Sequence, residues 1–211
     1  VEWRDAEVIP LHKHGKKESE PSSYRPIALT SCLGKLMEQM VKARLQHFLE
    51  KNKLLPDEQA GFRWHRSTTE QVATVVQEAH DGLQEGEDTL LVLIDFAKCF
   101  DKIHQKRLLH KLLDMGAPRG AVTWLRSFIT GRTARVRCGM DSSGEVQLEQ
   151  GVPQGTVLAP LLMAAYAADL PKAVRGEDKE LGLSLFADDL AVAARGRDRE
   201  QLRRRAQAAL D

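Results

Sequence analysis

Two stretches of this chain place acids where acids are costly. Leu185-Phe186-Ala187-Asp188-Asp189-Leu190-Ala191-Val192 sets two adjacent carboxylates between apolar runs, residues 181–186 and 190–194. The runs read as two short buried strands, with the Asp-Asp step at the turn between them. Acids in a turn are ordinary, because Asp hydrogen-bonds its own backbone there. This turn, however, lacks the Gly that usually completes a tight hairpin. Two like charges beside a core raise each other's cost unless a cation neutralises them. Hard carboxylate oxygens suit magnesium for that purpose. A third acid, Asp95, ends the run Leu90-Leu91-Val92-Leu93-Ile94-Asp95. That run reads as a strand buried on both faces, and an acid at its end needs a partner. If the strands pair, the three carboxylates converge at one sheet edge, where they could bridge two magnesium ions roughly 3.5–4 Å apart. Such a site suits phosphoryl or nucleotidyl transfer. It does not by itself choose a polymerase over a nuclease or phosphatase. Asp101 reads as a cap for the helix that follows it.

At 211 residues the chain makes one large domain or two closely packed subdomains. An apolar content of 42% supports a substantial core, and a net charge of +1 announces no global basic field. The arginines at 195, 197, 199 and 203–205 are a local exception. Cys32, Cys99 and Cys138 show no metal-ligand spacing and imply reduced thiols in an intracellular protein. No apolar run spans a membrane and no signal peptide is visible, so no membrane partner is expected. The first residue is Val and the last helix stops abruptly, which leads us to expect a fragment of a longer product.

The elements that must position the acids follow from periodicity. Val8 to Leu11 is a brief strand candidate in an otherwise irregular first 30 residues. The loop of residues 12–23 carries Lys13, Lys16 and Lys17 around Gly15. Leu33, Leu36, Met37, Met40, Val41, Leu45, Phe48 and Leu49 predict a structural helix over 31–50 with Ser31 as N-cap. Ser67 and Glu70 form a capping box that opens a helix to about Leu83. Two helices are expected, one carrying Leu108, Leu109, Leu112 and Leu113 with Gly116 as its stop, the next carrying Val122, Trp124, Leu125, Phe128 and Ile129. Residues 134–138 and 146–149 alternate like strands around the turn 140–144. Gly151-Val152-Pro153-Gln154-Gly155-Thr156 is a rigid polar turn whose glycines imply close approach of backbone to something. A helix over 158–169, a linker over 171–180 and a basic amphipathic helix over 199–210 complete the chain.

The order of these motifs carries a resemblance. Ser23-Tyr24-Arg25-Pro26-Ile27-Ala28-Leu29-Thr30-Ser31, then Gln59-Ala60-Gly61-Phe62-Arg63 with Arg66-Ser67-Thr68-Thr69, resemble the fingers motifs of reverse transcriptases. Ile94 to Asp101, Gly151 to Leu162 and Phe186-Ala187-Asp188-Asp189 look like their first catalytic, nucleotide-positioning and aromatic-x-Asp-Asp motifs. The likeness is nearest to enzymes of non-LTR (LINE-type) retrotransposons and spans roughly Val8 to Val192. It implies an α+β right-hand polymerase fold: fingers over residues 1–89, palm over 90–211, an antiparallel palm sheet packed on helices, and the thumb absent.

The resemblance also implies roles. Asp95, Asp188 and Asp189 would be catalytic and bind two Mg2+ ions (Mn2+ substituting), with the Phe96 carbonyl as an added ligand. Lys13 and Arg25 would hold a dNTP triphosphate. Phe100 would gate the 2′-hydroxyl, and Gln154 would contact the incoming nucleotide or its template base. Arg63 would meet the substrate or brace the fingers. An RNA template, a DNA primer and dNTPs are the implied partners, with an endonuclease domain elsewhere in the parent polyprotein and a nuclear and cytoplasmic location. His14 and Trp64-His65 depart from the family's usual pattern. RNA binding without catalysis is the alternative use of the same fold.

Overall fold

The computed structural model of the protein describes residues 4–210. The chain forms two compact units that interleave: residues up to Asn52 with Lys98–Ala165, and Lys53–Ala97 with Tyr166–Asp211. The functional division expected at residue 89/90 falls inside the first segment of the second unit, because α2 (Thr68–Gln84) and β3 (Asp88–Asp95) lie together there.

The first unit is built on β1 (Asp5–His12) and β2 (Tyr24–Leu29), an antiparallel hairpin, with β4 (Arg132–Cys138) parallel to β1. Both hairpin strands are longer than the brief strand expected. Pro10 and Pro26 stand opposite each other in the register, so neither proline interrupts the pairing. The short strands β5 (Asp141–Ser142) and β6 (Val146–Leu148) pair with β4. Ala6, Ala28 and Ala134 pack where the three main strands meet.

Helix α1 (Cys32–Lys51) matches its expected bounds but not its expected face. Leu33 is 80% exposed, and Leu36, Met37 and Met40 are exposed beside it, whereas Glu38, Leu45, Gln46 and Leu49 are buried. The helix is turned so that a carboxylate faces inward. Helices α3 (Gln105–Asp114) and α4 (Arg119–Ile129) pack together, and Leu108, Leu112, Leu125 and Ile129 on them are buried. His104, not Asp101, caps α3: its Nδ1 accepts the Arg107 amide. Helix α5 is Ala159–Tyr166.

The second unit holds a three-stranded antiparallel sheet in the order β3, β8 (Asp189–Gly196), β7 (Gly182–Phe186). Leu181, Leu183, Leu185, Leu190, Val192 and Ala194 form its core with Leu202 of α7 (Arg199–Leu210). β7 and β8 are buried as the apolar runs require. β3 is not buried on both faces: it is an edge strand, its pattern alternates, and Leu93 is 74% exposed. An unbroken apolar run cannot distinguish these cases by itself. The expected linker contains α6 (Leu170–Arg175), with Pro171 inside its first turn, where a missing amide hydrogen costs nothing.

Candidate functional site

Pairing of β3 with β8 sets Asp95 directly opposite Asp189, and pairing of β7 with β8 sets Phe186 opposite Asp189. The two-residue loop between β7 and β8 is therefore Ala187-Asp188. Asp95 and Asp189 are exposed and Asp188 is half-buried. The three carboxylates thus occupy one end of one sheet, with Phe96 following β3. A shallow cleft of about 250 Å³ opens there, lined by Leu93, Asp95, Ser184, Phe186, Asp189 and Ala191.

Like charges directly opposite on paired strands are destabilising. Among the described residues, no ion pair relieves Asp95, Asp188 or Asp189. Nor do three His, Cys, Asp or Glu side chains close around a common point. The donor set fits a hard divalent cation: two carboxylates in register, a third adjoining them, and no protein cation in their place.

The turn itself has a cost. Ala187 has φ +60°, the left-handed region, which takes a non-glycine residue at an expense on the order of 1 kcal/mol. The loop of residues 58–61 meets this turn. Leu185 N donates to the Glu58 carbonyl at 2.8 Å, and Ala60 N donates to the Leu185 carbonyl at 2.9 Å. That parallel bridge covers the outer edge of β7. Gln59, 1% exposed, accepts at Oε1 from Gly61 N at 2.7 Å and from Ala187 N at 3.0 Å. Its Nε2 donates to the Ala187 carbonyl at 3.3 Å. A Cβ on Gly61 would stand 2.2 Å from Ala187 N, so no larger residue fits. Arg63 turns its Nη1 to the carbonyls of Pro56 and Gln59, at 2.6 and 3.2 Å. It braces this loop.

The remaining candidates lie in the first unit. Leu11 pairs with Arg25 across the β1–β2 hairpin; Arg25 is exposed, and Lys13 Nζ donates to the Ser22 carbonyl at 3.0 Å. Gly151-Val152-Pro153-Gln154-Gly155 is fastened at both ends. Val152 N donates to the Phe100 carbonyl at 3.0 Å, Gly151 N to that of Ile103 at 2.8 Å, and Ala28 N to that of Gln154 at 2.8 Å. Gly151 (φ +79°) leaves no room for a Cβ, which would fall 2.7 Å from the Asp101 carbonyl oxygen. What the turn's glycines approach closely is the protein's own backbone.

Sequence reasoning missed three supporting residues. Gln59 stands inside one of the fingers motifs, but its burial is not visible there. Asp101, expected as a cap, instead accepts Gln154 Nε2 at 3.1 Å and orients that amide. Glu38, 1% exposed, accepts the amides of Val157 and Leu158 at 2.6 and 3.0 Å, satisfying donors at the start of α5. Burial raises its pKa, and those two backbone bonds oppose the rise. A larger cleft in the first unit, about 770 Å³, borders Asp101, Arg132 and Gly151 and holds none of the three acids.

Residues 11–211 match the family described as reverse transcriptase (RNA-dependent DNA polymerase). Over 171 residues the chain is 37% identical to the Drosophila melanogaster protein "Probable RNA-directed DNA polymerase from transposon BS", covering 81% of this chain and 19% of that protein. Over 189 residues it is 31% identical to "RNA-directed DNA polymerase from mobile element jockey" of the same species, covering 88% and 20%. It spans about a fifth of the length of these curated relatives. Apo telomerase from Candida tropicalis, truncated from its C-terminal domain, matches with a TM-score of 0.68 at 12% identity, over 99% of this chain and 46% of that one, a likeness of fold. With its acid-bearing antiparallel sheet, and with nearly its whole length matched, the chain belongs to the reverse transcriptase (RNA-dependent DNA polymerase) family.

Proposed function

We propose that this chain supplies the fingers and catalytic palm of an RNA-directed DNA polymerase of a non-LTR mobile element, which joins dNTPs to a primer 3′-hydroxyl on an RNA template. The observation that carries this reading is Asp95 opposite Asp189 across β3 and β8, with Asp188 in the adjoining turn. Asp95, Asp188 and Asp189, with the Phe96 carbonyl, would hold two Mg2+ ions. Such ions, when bound, lower the pKa of an attacking hydroxyl and steady a leaving pyrophosphate. Phe100 excludes the ribose 2′-hydroxyl by bulk. Gln154, oriented by Asp101, contacts the nucleotide or the template base. Lys13 and Arg25 bind the triphosphate as cations. Residues 1–89 act as fingers and residues 90–211 as palm, in a larger intracellular protein that also carries an endonuclease.

The test is primer extension on an RNA template by the full-length protein. Asp95→Ala or Asp188→Ala should lower extension by about 1,000-fold or more, the upper range for removing one charge-stabilising group. Extension near the wild-type rate in either variant sinks the assignment.

A further inference from the structure

Of the residues around the catalytic turn, Gln59 is the one that holds its backbone. One buried carboxamide makes three hydrogen bonds, two of them to Ala187. Ala187, with its left-handed φ, immediately precedes Asp188 and Asp189 in the turn. The adjoining residues tighten the same grip: the Glu58 and Ala60 backbone pairs with Leu185, and Gly61 admits Ala187 N where a side chain would collide. No glycine relieves the turn, so its conformation is imposed from outside. An amide suits this role, since its carbonyl oxygen accepts from two N–H groups while the NH2 donates to a carbonyl. A carboxylate could not donate, and an ammonium could not accept.

We infer that Gln59 is a positioning residue for the catalytic hairpin: its carboxamide fixes Ala187 in the left-handed conformation and so sets the direction in which Asp188 and Asp189 leave the turn. This rests on the polymerase reading above. Gln59, 1% exposed, offers no surface to a substrate. Its loss acts on metal binding and turnover rather than on nucleotide affinity.

The experiment uses the full-length protein with Gln59→Leu, which keeps the bulk without the bonds, and Gln59→Asn, which keeps the amide but withdraws it by one methylene. Two readouts are compared: Mn2+ affinity by electron paramagnetic resonance titration with the metal alone, and the kcat and dNTP KM of primer extension. Gln59→Leu is expected to weaken Mn2+ binding at least fivefold and to lower kcat at least tenfold, with dNTP KM within twofold of wild type. Gln59→Asn shows the same pattern at smaller size and carries the test if Gln59→Leu does not fold. Adding Ala187→Gly, which adopts a positive φ unaided, recovers part of the loss in Gln59→Asn. Wild-type Mn2+ affinity and kcat in the folded variants overturn the inference. So does a loss that Ala187→Gly leaves untouched, which would mark general packing damage. An Asp188→Ala control separates this outcome from failure of the polymerase reading: if that control retains extension, the function itself is misassigned.

Discussion

In the second unit, Asp95, Asp188 and Asp189 have no cationic partner among the described residues, and two of them face each other across paired strands. In the first unit, the polar groups proposed to meet the nucleotide are mostly already held: Lys13 by Ser22, and Gln154 by Asp101, with only Arg25 standing exposed. The contrast follows from ligand chemistry. A divalent cation is repaid only by charge left unpaired, since a competing Lys or Arg would occupy the same oxygens. A nucleotide is recognised by shape and orientation, so its side chains profit from being fixed beforehand. Variants in the first unit should therefore change which nucleotide is chosen and how tightly it binds. Variants in the second should change whether the reaction proceeds.

The largest effect expected on choice is at Phe100. Phe100→Ala should cut discrimination against ribonucleotides by tenfold to about a hundredfold, the scale of relieving a steric clash. Competitive incorporation of rNTP and dNTP measures it. Unchanged discrimination would make Phe100 a packing residue and blur the contrast. Next comes Gln154→Ala, which should raise dNTP KM about tenfold, somewhat more than the net worth of one hydrogen bond. Steady-state dNTP titrations should find kcat within about threefold. Asp101→Ala should move KM the same way by less, because it only orients Gln154. A fall in kcat with KM unmoved would place both residues on the wrong side of the comparison.

The smallest expected effect concerns the scaffold of the second unit. Arg205 donates to both Asp178 oxygens, at 2.6 and 3.0 Å, and to the Arg195 carbonyl at 2.8 Å. The Arg205 hydrogen bond holds the Asp178 carboxyl below its usual range. A depressed carboxylate pKa stabilises the fold above the unfolded value, near pH 4, and that contribution is lost as pH falls further. Asp178→Asn should cost about 1 kcal/mol at pH 7. Its deficit relative to wild type should shrink toward pH 3, read by urea unfolding at the two pH values. A deficit that ignores pH would mean that the pair contributes nothing through charge.

Much of the site is legible in the sequence because its signals are local. Ser67 and Glu70 announce α2, and both capping-box bonds are present. The apolar runs flanking Asp188-Asp189 announce β7 and β8. Asp95 is legible as a strand end. What escapes depends on partners distant in sequence. Whether β3 is central or at an edge is decided by what lies on its far side, which an apolar run does not encode. The inward turn of α1 depends on Glu38 finding the amides of Val157 and Leu158, more than a hundred residues on. Residues 171–180 read as a linker because a proline in a first helical turn looks, in isolation, like one in a loop. Gln59 is hidden for the same reason as Glu38: two of its three bonds require Ala187.

The interleaving of the two units also has a temporal side. Asp95 and Asp189 are register partners separated by roughly ninety residues, and such distant pairings form late in folding. As the chain leaves the ribosome, β3 emerges well before β8, and the whole second stretch of the first unit must emerge between them. Until β8 arrives, β3 offers its backbone donors and acceptors to any neighbouring strand. The acids of this sheet are thus assembled only after the whole Lys98–Ala165 stretch has been made.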